Sequence, residues 1–132
     1  MENQIYYISK TEYERLSFNA TDNLFIISGA ECLCLNDYLN QVYEKLSFPP
    51  IDVRKSLDSY FDWIRDLQWL SRDEIIFVIT DFDMFLVNDS VHKRIIIDLF
   101  KNEILPWWEC EVENHVVDGT TRKFNVYLVS NN

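Results

Sequence analysis

The chain has 132 residues, 48% hydrophobic and 15% aromatic, a composition that excludes intrinsic disorder and lets one domain, residues 1–132, bury a sizeable core. With 22 acidic against 12 basic residues the formal charge is −10, which disfavours nucleic acid and anionic membrane as direct ligands and favours a cationic protein. Three cysteines, Cys32, Cys34 and Cys110, cannot close into a full set of disulfides. The opening Met1-Glu2-Asn3-Gln4-Ile5 lacks the basic and apolar regions of a secretory signal, and no apolar run approaches a membrane span, so a cytoplasmic setting is expected.

Residues 1–22 read as an N-terminal extension, with an extra strand over Gln4 to Ile8 and a short helix whose capping box is Thr11 and Glu14. Leu24 to Ile27 reads as a buried strand, closed by the turn residues Ser28-Gly29. A helix follows with Asn36 as its N-cap, Leu35, Leu39, Val42, Tyr43 and Leu46 on its apolar face, and Pro49-Pro50 as its stop. The next helix begins between Asp52 and Ser56 and runs toward Leu70, with Leu57, Tyr60, Phe61, Ile64 and Leu67 turned inward.

On another face of that helix Asp58, Asp62 and Asp66 recur every four residues, with Arg65 and Trp69 beside them. Like charges at this spacing repel by a few tenths (about 0.2–0.5) of a kcal/mol per pair, so the row is unfavourable until something cationic meets it. The plain alternative is a solvated helix face. Trp69 suits an aromatic interface anchor, or else packs against the strand that follows.

Ile75 to Ile79 is a continuous β-branched and apolar run, the pattern of a strand covered on both faces. Asn88-Asp89-Ser90 caps a helix from Val91 to about Leu105, with Ile95, Ile96, Leu99 and Phe100 inward and Pro106 as the stop. The end reads as a β-hairpin, Cys110 to Val117 and Phe124 to Val129 around a turn at Asp118-Gly119, with Trp107-Trp108 as a core or hairpin-base cluster or else exposed for a partner. Strand, helix, helix, strand, helix, strand implies an α/β fold with a small, mainly parallel sheet flanked by helices, the hairpin giving the one antiparallel pairing.

Three segments in this order resemble the barstar family of intracellular ribonuclease inhibitors: Ile27-Ser28-Gly29 after the first strand, Glu44-Lys45-Leu46-Ser47-Phe48-Pro49 closing the first long helix, and Leu57-Asp58-Ser59-Tyr60-Phe61-Asp62-Trp63-Ile64. The resemblance spans roughly residues 23–105 and the last strand. It implies a three-layer barstar-like fold and a protein that plugs a nuclease active site, its carboxylates standing in for RNA phosphates. Asp58 and Asp62 match the two inhibitory aspartates of the family. A third family acid falls nearest Asn102, with Glu103 adjacent. The loop departs from the family pattern: Ile51-Asp52-Val53-Arg54-Lys55-Ser56 is one residue longer than Tyr-Gly-x-Asn and carries two positive charges.

The reading that follows is an immunity-type inhibitor, not an enzyme, that binds a cationic ribonuclease or nuclease toxin through Asp58, Asp62, Asp66, Trp69 and Glu103, with no cofactor or metal. One alternative is a barstar-like interaction module with a non-nuclease partner. A second is a small Mg²⁺-dependent phosphatase, because Asp81 and Asp83 follow a buried strand at its C-terminal end, where open α/β sheets bind ligands. Cys32, Cys34, Cys110 and His115 have the chemistry of a zinc set, but Cys-x-Cys is tighter than structural sites use and reads as small core residues. His92 and His115 have no nucleophile at informative spacing.

Overall fold

The computed structural model describes residues 2–18, 21–49 and 55–131. Strands β1 (Ile5–Ser9), β2 (Leu24–Ser28), β3 (Ile75–Thr80) and β4 (Phe124–Ser130) form one sheet in the order β1-β4-β3-β2, and each neighbouring pair is parallel. Every residue of β3 from Ile75 to Ile79 is buried, because the central strand is covered on both faces as its apolar run requires. The residues of β2 instead alternate, with Phe25 and Ile27 buried and Leu24 and Ile26 exposed. Gly29 closes β2 because a Cβ there would collide with the backbone carbonyls of Thr80 and Asp81.

The two faces of the sheet carry unequal layers. Helices α2 (Leu35–Lys45), α3 (Leu57–Ile64), α4 (Ser90–Leu99) and α5 (Val112–His115) bury Phe25, Ile27, Phe77, Ile79, Phe124 and Val126 in the main core. On the other face, Ile76, Val78 and Val129 are covered by Ile8, Tyr127 and Phe18 and by Tyr13 of α1 (Lys10–Arg15). The strand expected at Gln4–Ile8 is present as β1, and its start is fastened where Asn125 Oδ1 accepts the Gln4 N–H (2.7 Å) and Asn3 Oδ1 accepts the Phe124 N–H (3.0 Å).

Several local expectations are corrected. The capping box of α1 is Ser9 with Glu12, not Thr11 with Glu14: Ser9 Oγ accepts from Glu12 N–H at 3.1 Å and Glu12 Oε1 from Ser9 N–H at 3.2 Å. Both pairs have the same spacing, and the end of β1 decides between them. At α2 the N-cap is Cys34, not Asn36, and the Asp37 carboxylate accepts the N–H groups of Leu33 and Cys34 (3.0 and 3.4 Å). Ser47, in the left-handed region (φ 55°), ends α2 ahead of Pro49. Pro50 and the stretch 51–54 of the altered loop lie outside the described residues.

The C-terminal β-hairpin is the largest correction. Pro106 does not stop the helix. The chain continues from α4 through two wide π turns, Phe100–Ile104 and Trp107–Glu111, into α5. A proline lacks the N–H of the normal ladder and its ring crowds the carbonyl four residues back. Widened turns such as Leu105 N–H to Phe100 C=O give it room. The driving force is a stripe spaced every four residues, Ile96, Phe100, Ile104, Trp108 and Val112, all buried against the sheet. β4 then enters between β3 and β1, parallel to both, and no antiparallel pairing remains among the described strands.

Candidate functional site

Helix α3 begins at Ser56, whose hydroxyl accepts the N–H of Ser59 at 3.1 Å. Asp58 lies in its first turn, where a carboxylate is favoured by the positive end of the helix dipole. Inward, Tyr60 and Ile64 are fully buried, and the Tyr60 hydroxyl bonds the Tyr38 hydroxyl of α2 at 2.8 Å. Burial pushes both phenols above their ordinary range, so each is a neutral pin between the two helices.

The helix stops at Ile64, six residues short of the sequence expectation, because other groups take the carbonyls that would continue it. Trp108 Nε1–H donates to Ile64 C=O at 2.9 Å, Trp107 Nε1–H to Arg65 C=O at 2.9 Å, and Arg122 Nη1–H to Leu67 C=O at 3.2 Å. Leu67 turns into the left-handed region (φ 50°) and buries its side chain completely. The tryptophan pair therefore fastens the exit of α3, a role its place beside Pro106 did not reveal. Arg122 is buried and spans the carbonyls of Leu67, Ser71 and Asp73. Desolvation draws its guanidinium down to about 10; Arg72 adds to this and Asp73 opposes it.

Asp58 and Asp62 are exposed on the outer side of α3, whereas Asp66 lies in the turn beyond it and is half-buried. Asp62 and Asp66 nevertheless meet across one hollow of about 230 Å³ whose other walls are Ser59 and Trp63. These four stand at positions i, i+3, i+4 and i+7, a helical stripe that the four-residue spacing of the acids alone does not pick out. Arg65 sits beside them: Nη2 is 3.3 Å from Asp62 Oδ1, Nε donates to Phe61 C=O at 3.2 Å, and the guanidinium lies 3.7 Å over the Phe61 ring and 5.3 Å from that of Trp107. Because the Asp62 side chain is 76% exposed, that pair is a surface ion pair worth at most about 1 kcal/mol, and Asp62 keeps most of its face to solvent.

Neither Trp69 nor Glu103 lines this hollow, although Trp69 packs against the outer wall that Trp63 makes. Trp69 is half-buried, donates Nε1–H to Leu46 C=O at 2.8 Å and meets Phe48 and Trp63 edge-on at 5.9 and 5.8 Å, so much of its ring is spent holding the end of α2. Glu103 is exposed on the first wide turn and does not line the hollow.

Asp81 has a left-handed backbone (φ 48°), and the Asp83 carboxylate accepts the N–H of Asn131 at 3.1 Å. Cys32 is in the core beside Gln41, and burial, then Asp37, Glu31 and Cys34, push its thiol up to about 12; Cys110 is exposed. No group of three or more potential metal ligands occurs among the described residues. None of the described helices is long and apolar enough to cross a membrane.

No curated protein and no solved structure matches the chain. A family model does: Barstar (barnase inhibitor), over residues 23–128, from the entry to β2 into the last residues of β4. The matched span holds α2, α3 and the Asp62–Asp66 hollow, and leaves out β1, α1 and Phe18. With that match over most of its length, the chain belongs to the barstar family, whose members are inhibitors of ribonuclease and not enzymes.

Proposed function

We propose that this protein binds a cationic ribonuclease and blocks its active site with the outer face of α3, Asp58 and Asp62 making the principal contacts and Asp66 closing the far side of the hollow. The observation that carries this reading is the contrast between the two sides of one short helix. Its inner side is pinned by Tyr60 and its exit by two indoles, while its outer side presents carboxylates. A ribonuclease must offer Arg or Lys to phosphates, and carboxylates held at fixed spacing compete for those groups without being cleavable. Holding them on a pinned helix reduces the ordering cost of binding. The net charge of −10 would hasten encounter with a basic enzyme. Close charge pairs in the barnase–barstar complex itself couple by about 1.5–7 kcal/mol, the scale on which loss of a buried pair is to be judged.

Glu103 and Trp69 would act at the rim, since neither lines the hollow. The test is titration into a barnase-type ribonuclease assay at low and high salt. Stoichiometric inhibition is expected, with an association rate that falls as salt rises. The Asp58→Ala/Asp62→Ala variant should inhibit at least about 10-fold less well, the effect of losing some 1.4 kcal/mol, while melting only a few degrees (about 2–6) lower, because the helix-end charge of Asp58 and the exposed Asp62–Arg65 pair are each worth at most about 1 kcal/mol. Equal inhibition by the variant would remove these residues from the site. A tight complex that leaves RNA cleavage intact would assign α3 to a different cationic partner.

A further inference from the structure

β2 is an outer strand of the sheet, and its free edge lacks the devices that usually guard such edges. The strand reads Leu24-Phe25-Ile26-Ile27-Ser28, with no lysine, no proline and no bulge, and Leu24 and Ile26 are each 40% exposed. In a parallel ladder alternate residues turn their N–H and C=O toward the neighbouring strand. Asn23 C=O accepts from Ile76 N–H at 3.0 Å, so residues 23, 25 and 27 face β3, while 24, 26 and 28 face outward.

At the end of this edge a side chain already imitates a neighbouring strand. The Gln41 amide accepts the Ser28 N–H (2.9 Å) through Oε1 and donates Nε2–H to the Ser28 C=O (3.1 Å), the pairing that a peptide group would make. Among the described residues nothing takes the outward N–H and C=O of Leu24 and Ile26. Acidic groups bracket the gap. Asp22 and Asp73 stand at its start, and beyond Ile26 a hollow of about 390 Å³ is lined by Glu31, Glu44, Gln41 and Lys45 among others.

We propose that the β2 edge is a docking site for an extended basic segment of another protein, which adds to the sheet as a fifth strand through main-chain hydrogen bonds to Leu24 and Ile26 and sets a Lys or Arg side chain between Glu31 and Glu44. Strand addition draws affinity from the backbone and specificity from side-chain pockets, and the acidic bracket supplies the specificity here. A second copy of the chain is a poor occupant, because −10 would face −10 across the edge. The site does not involve α3.

The probe is the peptide acetyl-Lys-Val-Arg-Val-Lys-Val-amide, compared with its counterpart carrying Glu at the three basic positions. Amide hydrogen exchange is followed by NMR in the full chain. With the basic peptide, exchange at Leu24 and Ile26 should slow at least about tenfold; with the acidic peptide it should not change. Ile26→Pro removes an edge donor while leaving the bonds of Phe25 and Ile27 to β3, and should abolish the effect. Should that variant fail to fold, Glu31→Gln/Glu44→Gln decides, since it should weaken peptide binding several-fold and flatten its salt dependence. Asp58→Ala/Asp62→Ala should bind the peptide as the parent does, so failure here and failure of the α3 reading are told apart. No protection, equal protection by the acidic peptide, or protection without peptide that grows with protein concentration would each overturn the proposal, the last assigning the edge to a second copy.

Discussion

Tyr38 and Tyr60 share one hydrogen bond in a fully apolar setting, and that bond is what ties the inner side of α3 to α2. Tyr60→Phe keeps the ring but leaves the Tyr38 hydroxyl buried without its partner, which should cost about 1–3 kcal/mol in urea unfolding. The pair also sets a pH dependence. Burial raises both phenols above their unfolded value of about 10, so the stability they contribute is fully present below that pH and is lost as pH rises through their folded values. Alkaline titration followed by tyrosinate absorbance should show Tyr38 and Tyr60 among the phenols that ionise only as the protein unfolds, with one fewer such phenol in Tyr60→Phe. Direct ionisation of all seven tyrosines in the folded protein would contradict this. Neither residue's role was legible beforehand. Tyr60 appears in sequence as one member of an apolar stripe, Tyr38 lies outside the apolar face expected of its helix, and only the meeting of two helices puts one hydroxyl opposite the other.

At the scale of elements, α3 is short for a helix: eight residues hold little intrinsic stability, and its outer acids repel. Its order comes from its ends. Ser56 caps the entry, while Trp107, Trp108 and Arg122 satisfy carbonyls at and beyond the exit. Trp108→Phe should therefore destabilise the protein by about 1–3 kcal/mol, because a buried carbonyl at Ile64 loses its donor. Under the proposed function it should also weaken ribonuclease inhibition more than Trp107→Phe does, since Trp107 is the less buried of the two. Comparison of urea midpoints and inhibition constants for the two variants checks both statements. The long helical run from Ser90 to His115 follows the same logic of packing over local signals. Its stripe from Ile96 to Val112 was written in the sequence, but Pro106 and the Asp118-Gly119 pair gave a local pattern that pointed to a stop and a hairpin.

For the molecule as a whole, residues before the family-matched span complete the sheet. β1 covers the outer edge of β4, Tyr6 stacks on Tyr127 at 4.9 Å, and Phe18 meets the same ring edge-on at 5.2 Å. Removing residues 2–18 would bare that strand edge and the patch at Ile76, Val78 and Val129. At about 1.5–3 kcal/mol per apolar side chain uncovered, the truncated chain should melt at least about 10 °C lower. It should also scatter light on heating, since an open apolar edge invites association. A melt within a few degrees (about 3) of the full chain would show that the extension is dispensable to the fold.

The sequence by itself determined the elements whose side chains carry a helical period or a continuous apolar run: the central strand Ile75–Ile79, the apolar face of α2, the acid-bearing start of α3, and the Leu24 and Gln4–Ile8 strands. It also determined the family, because order and spacing of those elements survive without any contact being known. Tertiary structure alone decided that Asp66 leaves the helix yet faces Asp62, that two indoles and Arg122 end α3, and that the last segment is a helix followed by a central parallel strand. The physical reason is the same in each case. Periodicity reports which face of an element is buried, whereas the partners of helix-end carbonyls and strand edges come from residues distant in the chain, and no local pattern names them.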